Sequence, residues 1–270
     1  MAKPIGFPFV GWRIFTLIAS GLIATLAATA QVQAASETPV RRDPFLTDDY
    51  LERLTEHYRQ PTAAERPQRI LFIGNSITLG HDVPSRVAAR AAAEGVEVEV
   101  AMAAAGGAHL RDTARISRLG PLLEASEWDV LVLQDHTTTP FRETDREVSA
   151  DTIAGLAARA RTRNVVLYPP WPRAPGHAFY RHEAADNTLQ PKGPEEFARR
   201  TIEFYESVAR QNGYAVAPVP QRWLEAVELR EPVYAGDNYH ASAEGAELAA
   251  QVIWKTLRSI IAPAQAATAP

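Results

Sequence analysis

The sequence has 270 residues, a formal net charge of −4 and no cysteine. Disulfides, thiolate metal sites and cysteine nucleophiles are therefore excluded. A mildly acidic chain also carries no electrostatic footprint for nucleic acid or for an anionic membrane surface.

The first stretch reads as targeting, not fold. Lys3 and Arg13 make a basic start, an apolar run follows from Ile14 to Ala30, and small residues lead to Val32-Gln33-Ala34. That order predicts a secretory signal peptide over residues 1–34, cleaved after Ala34, with Ala28-Thr29-Ala30 as a second site. An uncleaved anchor is the alternative, because the run has about 17 residues, the lower edge of a spanning helix. Cleavage leaves a periplasmic or secreted chain without stable membrane insertion. It removes two positive charges, moves the balance to −6, and leaves enough chain for one well-buried domain.

Residues 35–67 read as a leader with one helix near Asp48–Gln60. A domain over residues 68–261 follows, then a flexible Ala/Pro-rich tail at 262–270. Strand candidates are Arg69–Ile73, Val96–Ala101, Val130–Leu133, Asn164–Tyr168 and, weakest, Tyr214–Val219. Val96–Ala101 alternates valine with glutamate, which suits one exposed face, whereas Val130–Leu133 is uniformly apolar, as a strand covered on both faces should be. Helices are predicted between them, at about Pro84–Glu94, Ala108–Arg118, Glu147–Arg161, Pro194–Asn212 and Ala241–Ile261. Ser242 caps the last, and Gly245 is an imperfection inside it. This alternation predicts an α/β fold, a parallel sheet between two helical layers, with its site at the carboxyl ends of the strands.

Chemistry-bearing residues fall just after those strands. Gly74-Asn75-Ser76-Ile77-Thr78 puts a serine on a turn after the first strand, although the segment alone also suits a helix cap. Asp237-Asn238-Tyr239-His240 lies in a loop before the last helix. Its D-x-x-H spacing lets the carboxylate fold back onto Nδ1–H of its own histidine, leaving Nε2 free to take a serine proton. A solvated surface histidine is the plainer alternative. The Pro-rich stretch 169–193 is longer than most loops. Its Trp171, Arg173 and Tyr180 are candidates for a substrate loop, or for packing on the edge of the core. His177, His182 and Glu183 fit no metal spacing. His81-Asp82 could line the pocket or, better, cap the following helix, and His109 could contact a substrate but suits the surface of the next helix. No dinucleotide or P-loop fingerprint occurs, so no cofactor is expected.

Taken together and in order, these blocks resemble those of the SGNH/GDSL hydrolases. Gly74-Asn75-Ser76-Ile77-Thr78 is similar to the family's G-D-S block, with Asn75 in place of Asp. Gly106-Gly107 is similar to the glycine block, and Leu133-Gln134-Asp135-His136 stands where G-x-N-D should be. Asp237-x-x-His240, followed by Ala241-Ser242-x-x-Gly245, is similar to the last block and is the most specific part. The resemblance spans roughly residues 69–260 and is greatest to a subset with a Leu-Gln third block. It implies a three-layer α/β/α flavodoxin-like fold with about five parallel strands and a metal-free Ser–His–Asp mechanism. Ser76 would attack an ester carbonyl, His240 would act as base and then acid, and Asp237 would orient His240. The N–H groups of Ser76 and Gly107 would bind the oxyanion. With no asparagine in the third block, Gln134 is the expected third donor and His136 its competitor. The expected substrate is a small-molecule or carbohydrate O-acyl ester, acetyl included, with lipid esters also open. An O-acyltransferase using the same acyl-enzyme, or a non-catalytic carbohydrate-binding domain, are the alternatives.

Overall fold

A computed structural model describes residues 44–59, 66–125, 127–181 and 190–261. The predicted signal peptide and the tail 262–270 lie outside the described residues. Five parallel strands form one sheet: β1 (Gln68–Asn75), β2 (Val98–Ala105), β3 (Val130–Leu133), β4 (Val165–Leu167) and β5 (Ala215–Val216). Their order is β2-β1-β3-β4-β5, so the chain reverses its winding direction between β1 and β3. The crevice outside the carboxyl ends at such a reversal is where this architecture places ligands.

Alternation along the strands builds two cores. Leu71 and Ile73 of β1 point to one face with Leu131, Leu133, Val165 and Leu167. Ile70 and Phe72 point to the other with Val130, Val132 and Val166. The first face is covered by α1 (Asp48–Arg59), α4 (Leu110–Ala114), α5 (Leu119–Ala125), α6 (Glu143–Ala160) and α7 (Pro194–Asn212). The second is covered by α3 (Val83–Ala93), α8 (Val219–Glu228) and α9 (Ala243–Ile261). Removal of this apolar surface from water, at roughly 25 cal/mol per Å², is the main favourable term for a chain without disulfides. The helix predicted within the leader is α1. The Thr47 hydroxyl accepts the Tyr50 N–H at its start, and Leu51 and Tyr58 enter the first core.

Several elements differ from the sequence expectation. β2 runs on through Met102-Ala103-Ala104-Ala105, whose short side chains carry no periodicity but are buried against β1. The helix expected over 108–118 is only Leu110–Ala114. A separate α5 follows, with Gly120 and Pro121 in its first turn, where a missing N–H costs nothing. The last strand shrinks to two residues because Val219 opens α8, whose Pro220 is tolerated for the same reason.

Gly245 is not an imperfection. Ser242 Oγ accepts its N–H at 3.0 Å, and a Cβ there would lie 2.1 Å from Val233 O and 2.7 Å from the Trp223 ring. Gly245→Ala gains helix propensity but forces that contact apart, so unfolding free energy should fall by about 3 kcal/mol. Thermal melting, about 10 °C lower, checks it. A melting point at or above that of the parent would show that α9 shifts freely.

Candidate active site

β1 ends at Asn75, and Ser76 opens the one-turn helix α2 (Ser76–Leu79). The Asn75 side chain accepts the Ile77 N–H at 3.1 Å and donates through Nδ2 to Ala108 O at 3.0 Å. It thus caps the serine turn and ties it to the loop after β2, and the aspartate usual at this position would lack the second donor. The Asn75 N–H donates to Gln134 Oε1 at 2.9 Å, and Thr78 Oγ1 donates to the same oxygen at 2.9 Å. Gly74 makes this possible. A Cβ there would sit 2.3 Å from Thr78 Oγ1 and 2.6 Å from Gln134 Oε1.

The last block folds against this turn. The loop is closed by a bridge between Tyr234 and Ala241, and Asn238 takes a left-handed φ of +58°. His240 Nε2 lies 3.1 Å from Ser76 Oγ, and Nδ1 lies 2.5 Å from Asp237 Oδ2. Asp237 Oδ1 accepts the N–H groups of Tyr239 (3.0 Å) and His240 (2.9 Å). Burial alone would raise the Asp237 carboxyl, but the His240 hydrogen bond and those two N–H donors outweigh it and hold it below its ordinary value. Serine, histidine and aspartate, 164 positions apart at the extremes of the domain, thus form one hydrogen-bonded line.

Two further loops border the serine. Asn75 pairs with Ala105 across β1 and β2, which places Gly106-Gly107 beside the Ser76 turn. Gly107 has φ +71°. On the other side Ile73 pairs with Leu133, so Ser76 and His136 each stand three residues beyond that pair. The His136 ring lies 4.4 Å from that of His109, which is therefore a neighbour of the site and not a surface residue of the next helix. Asp135 Oδ1 accepts the N–H groups of Leu110 (2.7 Å) and His136 (2.6 Å), joining the loops after β2 and β3. Burial, then the neighbouring His109, push the His136 imidazole down to about 4. Its Nδ1 meets Thr138 Oγ1 at 2.8 Å and the Thr138 N–H at 3.3 Å; accepting both leaves the proton of the neutral ring on Nε2.

Gln134 is fully buried; its carbonyl holds Asn75 and Thr78, and one hydrogen of Nε2 is donated to Asp135 O. Of the substrate-loop candidates, Trp171 is 1% exposed, stacked 4.2 Å from Trp223, and offers no face to a ligand. Of the two readings left open by the sequence, its place is the one packed against the core. Arg173 is buried, and Tyr180 is half-buried with its hydroxyl on Arg173 O. Asp82 caps α3 through the Ser85 N–H, as expected. His182 and Glu183 lie outside the described residues. Asn75, Thr78 and Asp135 lie within the blocks read from the sequence, but their hydrogen-bond partners carry no spacing signal.

No family model matches the sequence, and no curated protein matches it. Solved structures do. A protein described as an SGNH hydrolase from Slackia heliotrinireducens is 26% identical, with a TM-score of 0.59 over 71% of this chain and all of the other. TesA is 22% identical, with a TM-score of 0.53 over 72% of this chain and all of the other. The acetyl-xylooligosaccharide esterase Axe2 of Geobacillus shares the fold at 16% identity, with a TM-score of 0.52 over 75% of this chain and 98% of the other. The chain shares its fold with these proteins and is similar in structure to the SGNH/GDSL hydrolases.

Proposed function

We propose that the chain is an exported serine esterase that hydrolyses short O-acyl esters, acetyl first, on small molecules or carbohydrates. The observation that carries the reading is the line Ser76 Oγ–His240 Nε2 at 3.1 Å, continued by Nδ1–Asp237 at 2.5 Å. His240 takes the Ser76 proton as Oγ attacks the acyl carbon. The tetrahedral intermediate collapses as the C–O bond to the alcohol breaks, and Nε2 returns the proton to the departing oxygen. Water, deprotonated by the same nitrogen, then releases the acid and restores Ser76. Asp237 keeps Nδ1 protonated throughout.

Export rests on the order of charge, apolar run and small residues over 1–34. The acetyl group is put first because the acetyl-xylooligosaccharide esterase Axe2 shares this fold. Hydrolysis of p-nitrophenyl acetate by the purified chain, compared with butyrate and octanoate, tests the reading. Octanoate as the preferred substrate would replace it with a lipase. A folded chain inactive on all three and unlabelled by a fluorophosphonate would replace it with a binding domain.

For the oxyanion we assign the N–H groups of Ser76 and Gly107 and, as third donor, His136 Nε2–H. Gln134 has its carbonyl fixed by a backbone N–H, and its amide already donates. The His136 ring is neutral at working pH, carries a proton on Nε2, and stands level with Ser76. His136→Ala should therefore lower kcat by about 10²- to 10³-fold with KM little changed. Full activity in His136→Ala would return the role to Gln134.

A further inference from the structure

We propose that Arg173 is a positioning residue for His240: its guanidinium, held between the rings of Phe179 and Tyr239, fixes Tyr239 against the imidazole and so sets the direction of Nε2 toward Ser76. This rests on His240 being the base. The need for such a device follows from exposure. The side chains of His240 and Asp237 keep 41% and 50% of their surface in water, so core packing does not hold them. The ring beside the imidazole is Tyr239, centroid to centroid 4.5 Å.

Tyr239 is held from three directions. Its carbonyl accepts from Trp171 Nε1 at 2.9 Å, and its hydroxyl meets Thr137 Oγ1 at 3.3 Å. Arg173 Cζ lies over its ring, 4.1 Å from the centroid, and over the Phe179 ring, 3.9 Å from that centroid. Arg173 is 8% exposed and has no carboxylate partner among the described residues. Nη2 donates to Thr137 Oγ1 at 3.3 Å, and Nη1 is buried without a partner. Among the described residues, then, this buried cation serves no ion pair. What satisfies it is the pair of π faces, an arrangement open to a flat, weakly hydrated guanidinium and not to the compact, strongly hydrated ammonium of lysine. Thr137, Phe179 and Tyr239 belong to the loops after β3, after β4 and before α9, so one side chain joins three loops around the serine.

The test is made in the full chain with Arg173→Met, Arg173→Lys, Tyr239→Leu and the Met/Leu pair. It reads kcat and KM on p-nitrophenyl acetate, melting temperature, and the proton resonance of His240 Nδ1–H. Arg173→Met and Tyr239→Leu are each expected to lower kcat about 10- to 100-fold with KM within about twofold, because a small misplacement of the base costs that much. The pair should lose no more than either alone, since both remove one device. The Nδ1–H resonance should broaden by exchange in every variant that loses the sandwich. Added guanidinium ion should restore part of the kcat of Arg173→Gly, and methylammonium should not. If Arg173→Met fails to fold, Arg173→Lys, which keeps charge and length, carries the test. Full kcat in a folded variant, losses that multiply in the pair, or a loss confined to KM would each overturn the proposal, the last making Arg173 a substrate contact. If the parent itself has no esterase activity, the functional reading falls, while an unchanged or broadened Nδ1–H resonance still decides the positioning.

Discussion

Ser76→Ala is expected to cut kcat on p-nitrophenyl acetate by about a millionfold, to the background of the remaining site, and His240→Ala by a similar factor. Alanine at 76 removes the attacking oxygen. Alanine at 240 leaves Oγ in place, 3.1 Å from nothing able to take its proton. A neutral serine hydroxyl is too weak a nucleophile for the ester carbonyl, so either loss stops the same step. The double variant should therefore be no worse than either single one, because the groups act as a unit. Neither side chain is part of the core, so melting should stay within a few degrees of the parent. Fluorophosphonate labelling adds a readout independent of the ester: it should vanish with Ser76→Ala and become slow with His240→Ala. A Ser76→Ala variant that keeps activity would move the nucleophile elsewhere and remove the basis of the family reading for this site.

Much of this was legible in the sequence, for identifiable reasons. Strands buried on both faces are short and uniformly apolar, so Val130–Leu133 and Asn164–Tyr168 stood out. Ser76 and His240 were visible because each follows a turn signal and Asp237 precedes its histidine by three residues. What stayed hidden depends on three-dimensional neighbours. The alanines of β2 carry no pattern, yet they are buried where the sheet meets α2 and the serine turn. Gly74 and Gly245 matter through the space a Cβ would take, from Gln134 and Thr78 in one case and Val233 and Trp223 in the other. No spacing rule points to partners 60 residues away. Nor does sequence reveal which way a carboxamide turns: the Gln134 carbonyl accepts the Asn75 N–H and the Thr78 hydroxyl.

Asp237→Asn should lower kcat by about 10⁴-fold while leaving the loop in place. What decides the outcome is the atom that meets Nδ1. In the parent, Oδ1 accepts the Tyr239 and His240 N–H groups, and Oδ2 receives the Nδ1 proton. Asparagine keeps an oxygen for the two backbone donors, so the carboxamide is forced to point its NH₂ at Nδ1. Nδ1 then becomes the acceptor, the neutral imidazole carries its proton on Nε2, and that proton faces Ser76 Oγ. A ring in this tautomer holds the serine without being able to deprotonate it. Asp237→Ala frees the ring to choose its tautomer with water but leaves the two backbone donors without their acceptor, so it should retain more activity per folded molecule and melt lower. The comparison is therefore sharper than either variant alone. Asparagine more active than alanine would mean that Asp237 serves chiefly to shape the loop, and alanine more active would mean that it selects the proton position on His240.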